Sequence, residues 1–255
     1  MPTEVSPPGV SVPALEAFLR ERGLLSGPLR VELLAGGRSN LTYLLSDGSG
    51  RRVLRRPPLG HVLATAHDMD REFRVLRALH PSAVPVPEPI VSAGPDVLGA
   101  PFYVMEFAEG TVLRDQHQLE AFGSAEAAGL AETLVETLVR LHRTDPAAVG
   151  LSDLGRPDGY LERQLRRWAR QLHDSHSRDL PELTALGGRL GRRIPETGAA
   201  SIVHGDYRLD NVVHCGRTGA GRAAGPDRRR ARCRVVRRRT RLQRRRRRLG
   251  VRRGR

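Results

Sequence analysis

Two hydrophobic periods alternate along this 255-residue chain, and the point where one gives way to the other divides it. Leu15, Phe18 and Leu19 share one helical face and predict a first helix over 13–22. Three short runs of strand character follow at 30–34, 41–46 and 52–55, separated by Gly36-Gly37 and by the hairpin string Asp47-Gly48-Ser49-Gly50. Asp68 is placed to cap a helix running to about Leu79, with Met69, Phe73, Leu76 and Leu79 as its buried stripe. Pro81, Pro85, Pro87 and Pro89 forbid helix and force an extended connection to strands near 90–93 and 102–107.

Beyond 107 the period becomes helical. Ser124 caps a long helix to His142 with Leu130, Leu134, Leu138 and Leu141 inside, and 158–173 repeats the spacing with Leu161, Leu165, Trp168 and Leu172. A further helix is expected over 182–193, then a short apolar strand, Ser201-Ile202-Val203, leading into His204-Gly205-Asp206. The fold class expected from this order is α+β, a β-rich N-terminal part followed by a helical one.

Composition changes the picture in one place. The net charge of +15 is not spread evenly: all 28 acidic residues lie at or before Asp227, so 1–227 carries about −2, whereas 228–255 holds 17 Arg and no acid. A basic surface throughout would point to nucleic acid or an anionic membrane, and the body gives no such signal. All 43 basic residues are Arg, a bias consistent with a GC-rich genome. Two cysteines, Cys215 and Cys233, make neither a disulfide framework nor a four-ligand zinc set. No N-terminal signal pattern and no run approaching about 18 apolar residues is present, so a cytoplasmic protein is expected.

The chemistry concentrates in residues 202–211, Ile-Val-His-Gly-Asp-Tyr-Arg-Leu-Asp-Asn. Phosphoryl transfer needs an acceptor to orient the attacking hydroxyl, metal ions to neutralise phosphates, and a cradle to position them. Asp206 is placed to orient a hydroxyl. Asn211 can offer an amide oxygen to Mg²⁺, a hard cation that takes oxygen ligands. His204 suits a bracing role, and Gly205 permits a backbone conformation closed to other residues. Asp and Asn are also ordinary turn residues, and it is the apolar strand before the fixed His-Gly-Asp string that favours the functional reading.

This loop resembles the catalytic loop of the aminoglycoside phosphotransferase and choline kinase family, relatives of the protein kinases. Residues 36–45, Gly-Gly-Arg-Ser-Asn-Leu-Thr-Tyr-Leu-Leu, resemble that family's phosphate-covering loop, which implies nucleotide contacts for Gly36, Gly37, Ser39 and Asn40. Arg55 falls where the family's phosphate-contacting Lys sits, and Glu72, in 71–79, resembles its helical partner. Arg offers a bidentate fork where Lys offers a point charge, so this departure matters. Residues 85–90 and 102–110 resemble the approach to the interlobe hinge, which implies that Glu106 and Phe107 flank the adenine through backbone groups. The resemblance covers about 30–215 and is nearest the branch associated with acyl-CoA dehydrogenases. It implies a protein-kinase-like two-lobed fold, with a nucleotide-binding lobe over 1–107 and a truncated helical lobe carrying the catalytic loop over 108–215. The cofactors implied are ATP and Mg²⁺, and the substrate a small-molecule hydroxyl, with a weak pointer to a hydroxyacyl compound.

One piece is out of place. The family's second metal ligand is an Asp on a strand shortly after the catalytic loop, and the nearest candidate is Asp227. Gly225-Pro226 precedes it and Arg228-Arg229-Arg230 follows, where an apolar run and an aromatic-acidic pair are expected. The makeup of 216–255 fits a shifted reading frame, or else a basic arm for polyanions, although it has no aromatic residue to stack on bases. We therefore expect the segment to lack regular structure and the chain to be weak or inactive as a catalyst. The competing readings are a nucleotide-binding pseudo-kinase fragment and a polyanion-binding protein with no specific nucleic-acid partner.

Overall fold

A computed structural model of the chain describes residues 7–35, 40–60, 68–120, 122–175, 180–215, 232–235 and 241–246. Helix α1 (Val12–Arg20) precedes strands β1 (Arg30–Ala35), β2 (Leu41–Ser46) and β3 (Arg51–Arg56). Helix α2 (Met69–Leu79), β4 (Pro89–Ala93) and β5 (Phe102–Glu106) follow. Then come α3 (Gln116–Glu120), α4 (Ser124–Arg143), α5 (Tyr160–Ser175) and α6 (Pro181–Gly191). The last elements are β6 (Thr197–Val203), a 3₁₀ turn at Leu209–Asn211, β7 (Val212–Cys215), β8 (Arg232–Val235) and β9 (Arg241–Arg246). The chain divides into two compact units, one of residues 1–140 with 206–239, the other of 141–205 with 240–255.

In the first unit β1 to β5 form an antiparallel sheet in the order β1-β2-β3-β5-β4. Alternation along its strands sorts side chains to two faces. Tyr43, Leu45, Leu54, Phe102 and Val104 join Leu15, Phe18 and Leu19 of α1 in the main core. Phe18 meets Phe102 edge-on, with ring centroids 5.5 Å apart. Arg55 and Tyr103, directly opposed in the β3–β5 register, turn to the other face, where the ring of Phe73 on α2 lies 6.0 Å from that of Tyr103. Asp68 caps α2, its carboxylate accepting from the Arg71 N–H at 2.9 Å.

The β2–β3 hairpin is organised by Asp47, whose side chain is fully buried. It accepts from the N–H groups of Ser26, Ser49 and Gly50 and from the Ser49 hydroxyl, with Arg52 at 3.5 Å. Burial alone would raise this carboxyl; the Ser26 and Ser49 hydrogen bonds and the Arg52 charge outweigh it and hold the pKa at about 2, below the ordinary 3.8. A depressed carboxyl adds stability above its unfolded value and loses it as pH falls through its folded value. Asp47→Asn should therefore destabilise the chain at neutral pH. In urea melts across pH, its deficit relative to wild type should shrink as pH drops from about 4 to about 2.

In the second unit α5 and α6 pack as a pair. The sequence pattern places Leu161, Leu165, Trp168 and Leu172 inside, but no residue of α5 or α6 is fully buried, and Trp168 is 63% exposed. An amphipathic period fixes which face is apolar, and here the two apolar faces meet chiefly each other along an open groove. In α4 the expected stripe holds at Leu130 and Leu141, with Thr137 buried between them.

The Arg-rich segment departs from expectation. Its residues 232–235 pair antiparallel with β7, and 241–246 pair antiparallel with β6. A strand edge presents unpaired N–H and C=O groups that any extended backbone can satisfy, so side-chain composition did not reveal this pairing.

Candidate active site

The site is built on the α2 face of the sheet. Alternation brings Thr42, Val53, Arg55 and Met105 to one side of three adjacent strands, and they line a cavity of about 330 Å³. Glu106, Phe107, Gly110 and Val112 continue its wall, and Asp210, Asn211, Val212 and Val213 close it from the returning segment. Sheet residues and residues 210–213 thus meet at one cavity, within the first unit.

Arg55 is 1% exposed and its Nη1 lies 3.2 Å from Glu72 Oε2 on α2. The ion pair expected from the sequence is therefore present. Glu72 has two further partners: Asn40 Nδ2 donates to Oε1 at 3.1 Å, and the Tyr103 hydroxyl donates to Oε2 at 3.0 Å. Burial pushes the Tyr103 phenol far above its ordinary value, so it acts as a neutral donor. Sequence reasoning missed Tyr103, because an aromatic in an apolar strand reads as core. Its register opposite Arg55 was the available signal.

The returning segment is braced separately. The Tyr207 hydroxyl donates to the Leu134 carbonyl of α4 at 2.9 Å. Asn211, buried, turns its Nδ2 onto the Asp206 carboxylate at 2.8 Å and the Asp206 carbonyl at 2.9 Å. That orientation commits the amide nitrogen to Asp206 and directs the amide oxygen elsewhere. Arg208 Nε approaches Asp206 at 3.7 Å and its guanidinium pairs with Asp210. His204 is buried at the exit of β6, and Gly205 has φ of +79°.

Residues 110–111 are pinned to β7. Thr111 and His214 exchange both backbone hydrogen bonds, at 2.9 and 2.8 Å, and the Phe122 ring stacks edge-on to His214. Burial lowers the His214 pKa below its ordinary value.

At the end of β5, the Glu106 N–H donates to the Glu88 carbonyl at 2.8 Å, so this backbone donor is already engaged. The Phe107 ring receives the Arg51 guanidinium, 4.4 Å from its centroid. Asn40, expected to contact nucleotide, is instead 1% exposed and directed at Glu72. Gly36, Gly37 and Ser39, expected to contact phosphate, and Asp227, expected to ligate metal, lie outside the described residues. No cluster of three or more His, Cys, Asp or Glu positioned for a metal occurs among the described residues. No helix of the described residues is long and apolar enough to cross a membrane.

Comparison with known proteins bears on this arrangement. A solved structure from Ralstonia eutropha JMP134, provisionally assigned as an aminoglycoside phosphotransferase, is 35% identical with a TM-score of 0.69, covering 80% of this chain and 60% of that one. Acyl-CoA dehydrogenase family member 11 of Gallus gallus is 37% identical over 190 residues, 74% of this chain. The chain spans about a quarter (24%) of that relative's length. APH(2″)-IIIa in complex with GDP and kanamycin, at 16% identity and TM-score 0.57, covers 80% of this chain and 67% of that one, and supports the fold. Residues 30–225 match the model of the phosphotransferase enzyme family. With its two-lobed, protein-kinase-like α+β fold, the chain belongs to the phosphotransferase enzyme family.

Proposed function

We propose that this chain binds ATP and belongs to a lineage that transfers its terminal phosphoryl group to a small-molecule hydroxyl, with turnover reduced in the chain as it stands. The observation that carries this reading is Arg55, held by Glu72, lining the same cavity as Asn211. A guanidinium held by a carboxylate beside a nucleotide-sized cavity is suited to positioning phosphates.

Asp206 accepts a hydrogen bond from the acceptor hydroxyl and orients its lone pair toward the terminal phosphorus. As the new O–P bond forms, the bond between that phosphorus and the bridging oxygen breaks, ADP leaves, and Asp206 takes the proton. Arg55 neutralises charge on the phosphate oxygens. The cavity wall from Met105 to Phe107 receives the base.

The residues present fit one Mg²⁺ contact. Asn211 has its nitrogen committed to Asp206, which leaves the amide oxygen for a hard cation. When bound, Mg²⁺ supplies neutralisation of phosphate charge. Asp227 is the proposed second ligand, but Gly225-Pro226 before it and Arg228-Arg229-Arg230 after it stand where an apolar run and an aromatic-acidic pair are expected. This departure from the family's pattern is the reason for proposing low turnover. The acceptor is proposed as a small hydroxylated compound, with a hydroxyacyl compound as one class to include in a screen.

Thermal-shift titration of the purified chain with ATP and Mg²⁺ should raise the melting temperature, and a missing shift would remove the nucleotide reading. ADP release with a panel of hydroxylated acceptors should be slow and should fall by about 10²–10⁴ in Asp206→Asn. Fast, Asp206-dependent turnover would overturn the proposed impairment.

A further inference from the structure

Glu72 is held from both of its carboxylate oxygens, and only one of its three partners was expected. Oε1 accepts from Asn40, which precedes β2; Oε2 accepts from Tyr103 of β5 and faces Arg55 of β3. Asn40, Arg55 and Tyr103 are each 1% exposed, so the three partners of Glu72 lie out of water, where hydrogen bonds to a charged group are strongest. Without Asn40 and Tyr103 the carboxylate could rotate about its terminal torsion and still touch Arg55. With both, one orientation is selected. The Tyr103 hydroxyl also bonds the Arg55 guanidinium, so it touches both members of the ion pair.

We propose that Asn40 and Tyr103 are positioning residues, which clamp Glu72 and thereby fix the direction of the Arg55 guanidinium along the cavity wall. This rests on the reading of the cavity as an ATP site, and it reassigns Asn40 from phosphate contact to Glu72 orientation. An Arg makes such a clamp useful. Its flat fork binds phosphate bidentately in only a narrow range of orientations, whereas a Lys ammonium tolerates rotation. Asn40 immediately precedes β2, and Tyr103 lies two residues before the Met105 and Glu106 wall. The clamp therefore ties the two ends of the proposed site to one carboxylate.

The test separates positioning from general structural support by the choice of ligand. ATP with Mg²⁺ engages Arg55 through phosphate, whereas adenosine has no phosphate. Calorimetric titration of the full chain and of Tyr103→Phe and Asn40→Ala should show ATP affinity falling by about five- to tenfold in each variant. Adenosine affinity should stay within about twofold of wild type. The double variant should lose less than the product of the single effects, because both act on one carboxylate. Unchanged ATP affinity, or an equal fall for adenosine, would overturn the proposal while leaving the ATP site standing. A wild-type chain that binds neither ligand would overturn both. Tyr103→Phe removes one oxygen and keeps the ring, and matching far-ultraviolet circular dichroism would establish that it folds.

Discussion

Glu72→Ala is expected to unfold the chain more readily than any substitution of Arg55. Arg55 is 1% exposed, and a guanidinium cannot shed its proton to escape burial. Deleting its carboxylate leaves an uncompensated charge in the interior, with the neutral Tyr103 hydroxyl as a poor substitute. Breaking a buried pair from one side costs about 3–5 kcal/mol. Arg55→Met removes the charge along with its desolvation cost. It leaves Glu72, whose side chain is 16% exposed, still bonded to Asn40 and Tyr103, and the loss should be smaller, about 1–2 kcal/mol. Urea unfolding of the two variants tests the order. A larger loss in Arg55→Met would mean that the aliphatic stem of Arg55, rather than its charge balance, dominates at this position. Combining Arg55→Met with Glu72→Leu should recover much of what Glu72→Ala loses, while ATP affinity stays low in all three. Such an outcome would separate stability from binding at this pair.

How much of this was legible beforehand depends on the kind of signal. The strands and α1 were readable because alternation and turn residues are local, and Asp47-Gly48-Ser49-Gly50 marks its hairpin unambiguously. Arg55 and Glu72 were readable only through the resemblance of their flanking motifs, since an Arg in a strand and a Glu in a helix are unremarkable by themselves. Asn40 was assigned to phosphate because it follows a glycine-rich loop; its burial against Glu72 depends on how α2 packs, which no local pattern encodes. Trp168 shows the complementary failure, because amphipathicity names an apolar face without naming what covers it. The pairing of 232–235 with β7 and of 241–246 with β6 was illegible for a different reason: backbone hydrogen bonding is indifferent to an arginine-rich sequence. Asp206 and Asn211 were singled out from the loop sequence itself, and the 2.8 Å bond between them adds the one detail that spacing could not, namely which end of the Asn amide is committed.

The other large effect should come from Gly110→Ala, at a residue without any side-chain chemistry. A Cβ at this position would lie 2.4 Å from the His214 carbonyl oxygen and 2.7 Å from Val213 Cγ1, and φ is +151°, where side chains are strained in any case. Two of the three nearest atoms belong to the β7 backbone, so no rotamer change can relieve the clash. The reciprocal Thr111–His214 hydrogen bonds would have to separate, and with them the junction that brings Val213 and Asn211 to the cavity. A loss of about 4 kcal/mol or more is expected, together with loss of ATP binding in whatever fraction remains folded. Gly48→Ala provides the control. Its φ is +82°, but nothing lies within 4 Å of an added Cβ, so only the left-handed backbone penalty of about 1–2 kcal/mol applies. Equal melting temperatures for the two variants would show that the 110–111 segment can move off β7 freely. A deficit several-fold larger in Gly110→Ala would establish that close approach of backbone to backbone, rather than positive φ, is what requires glycine beside the cavity.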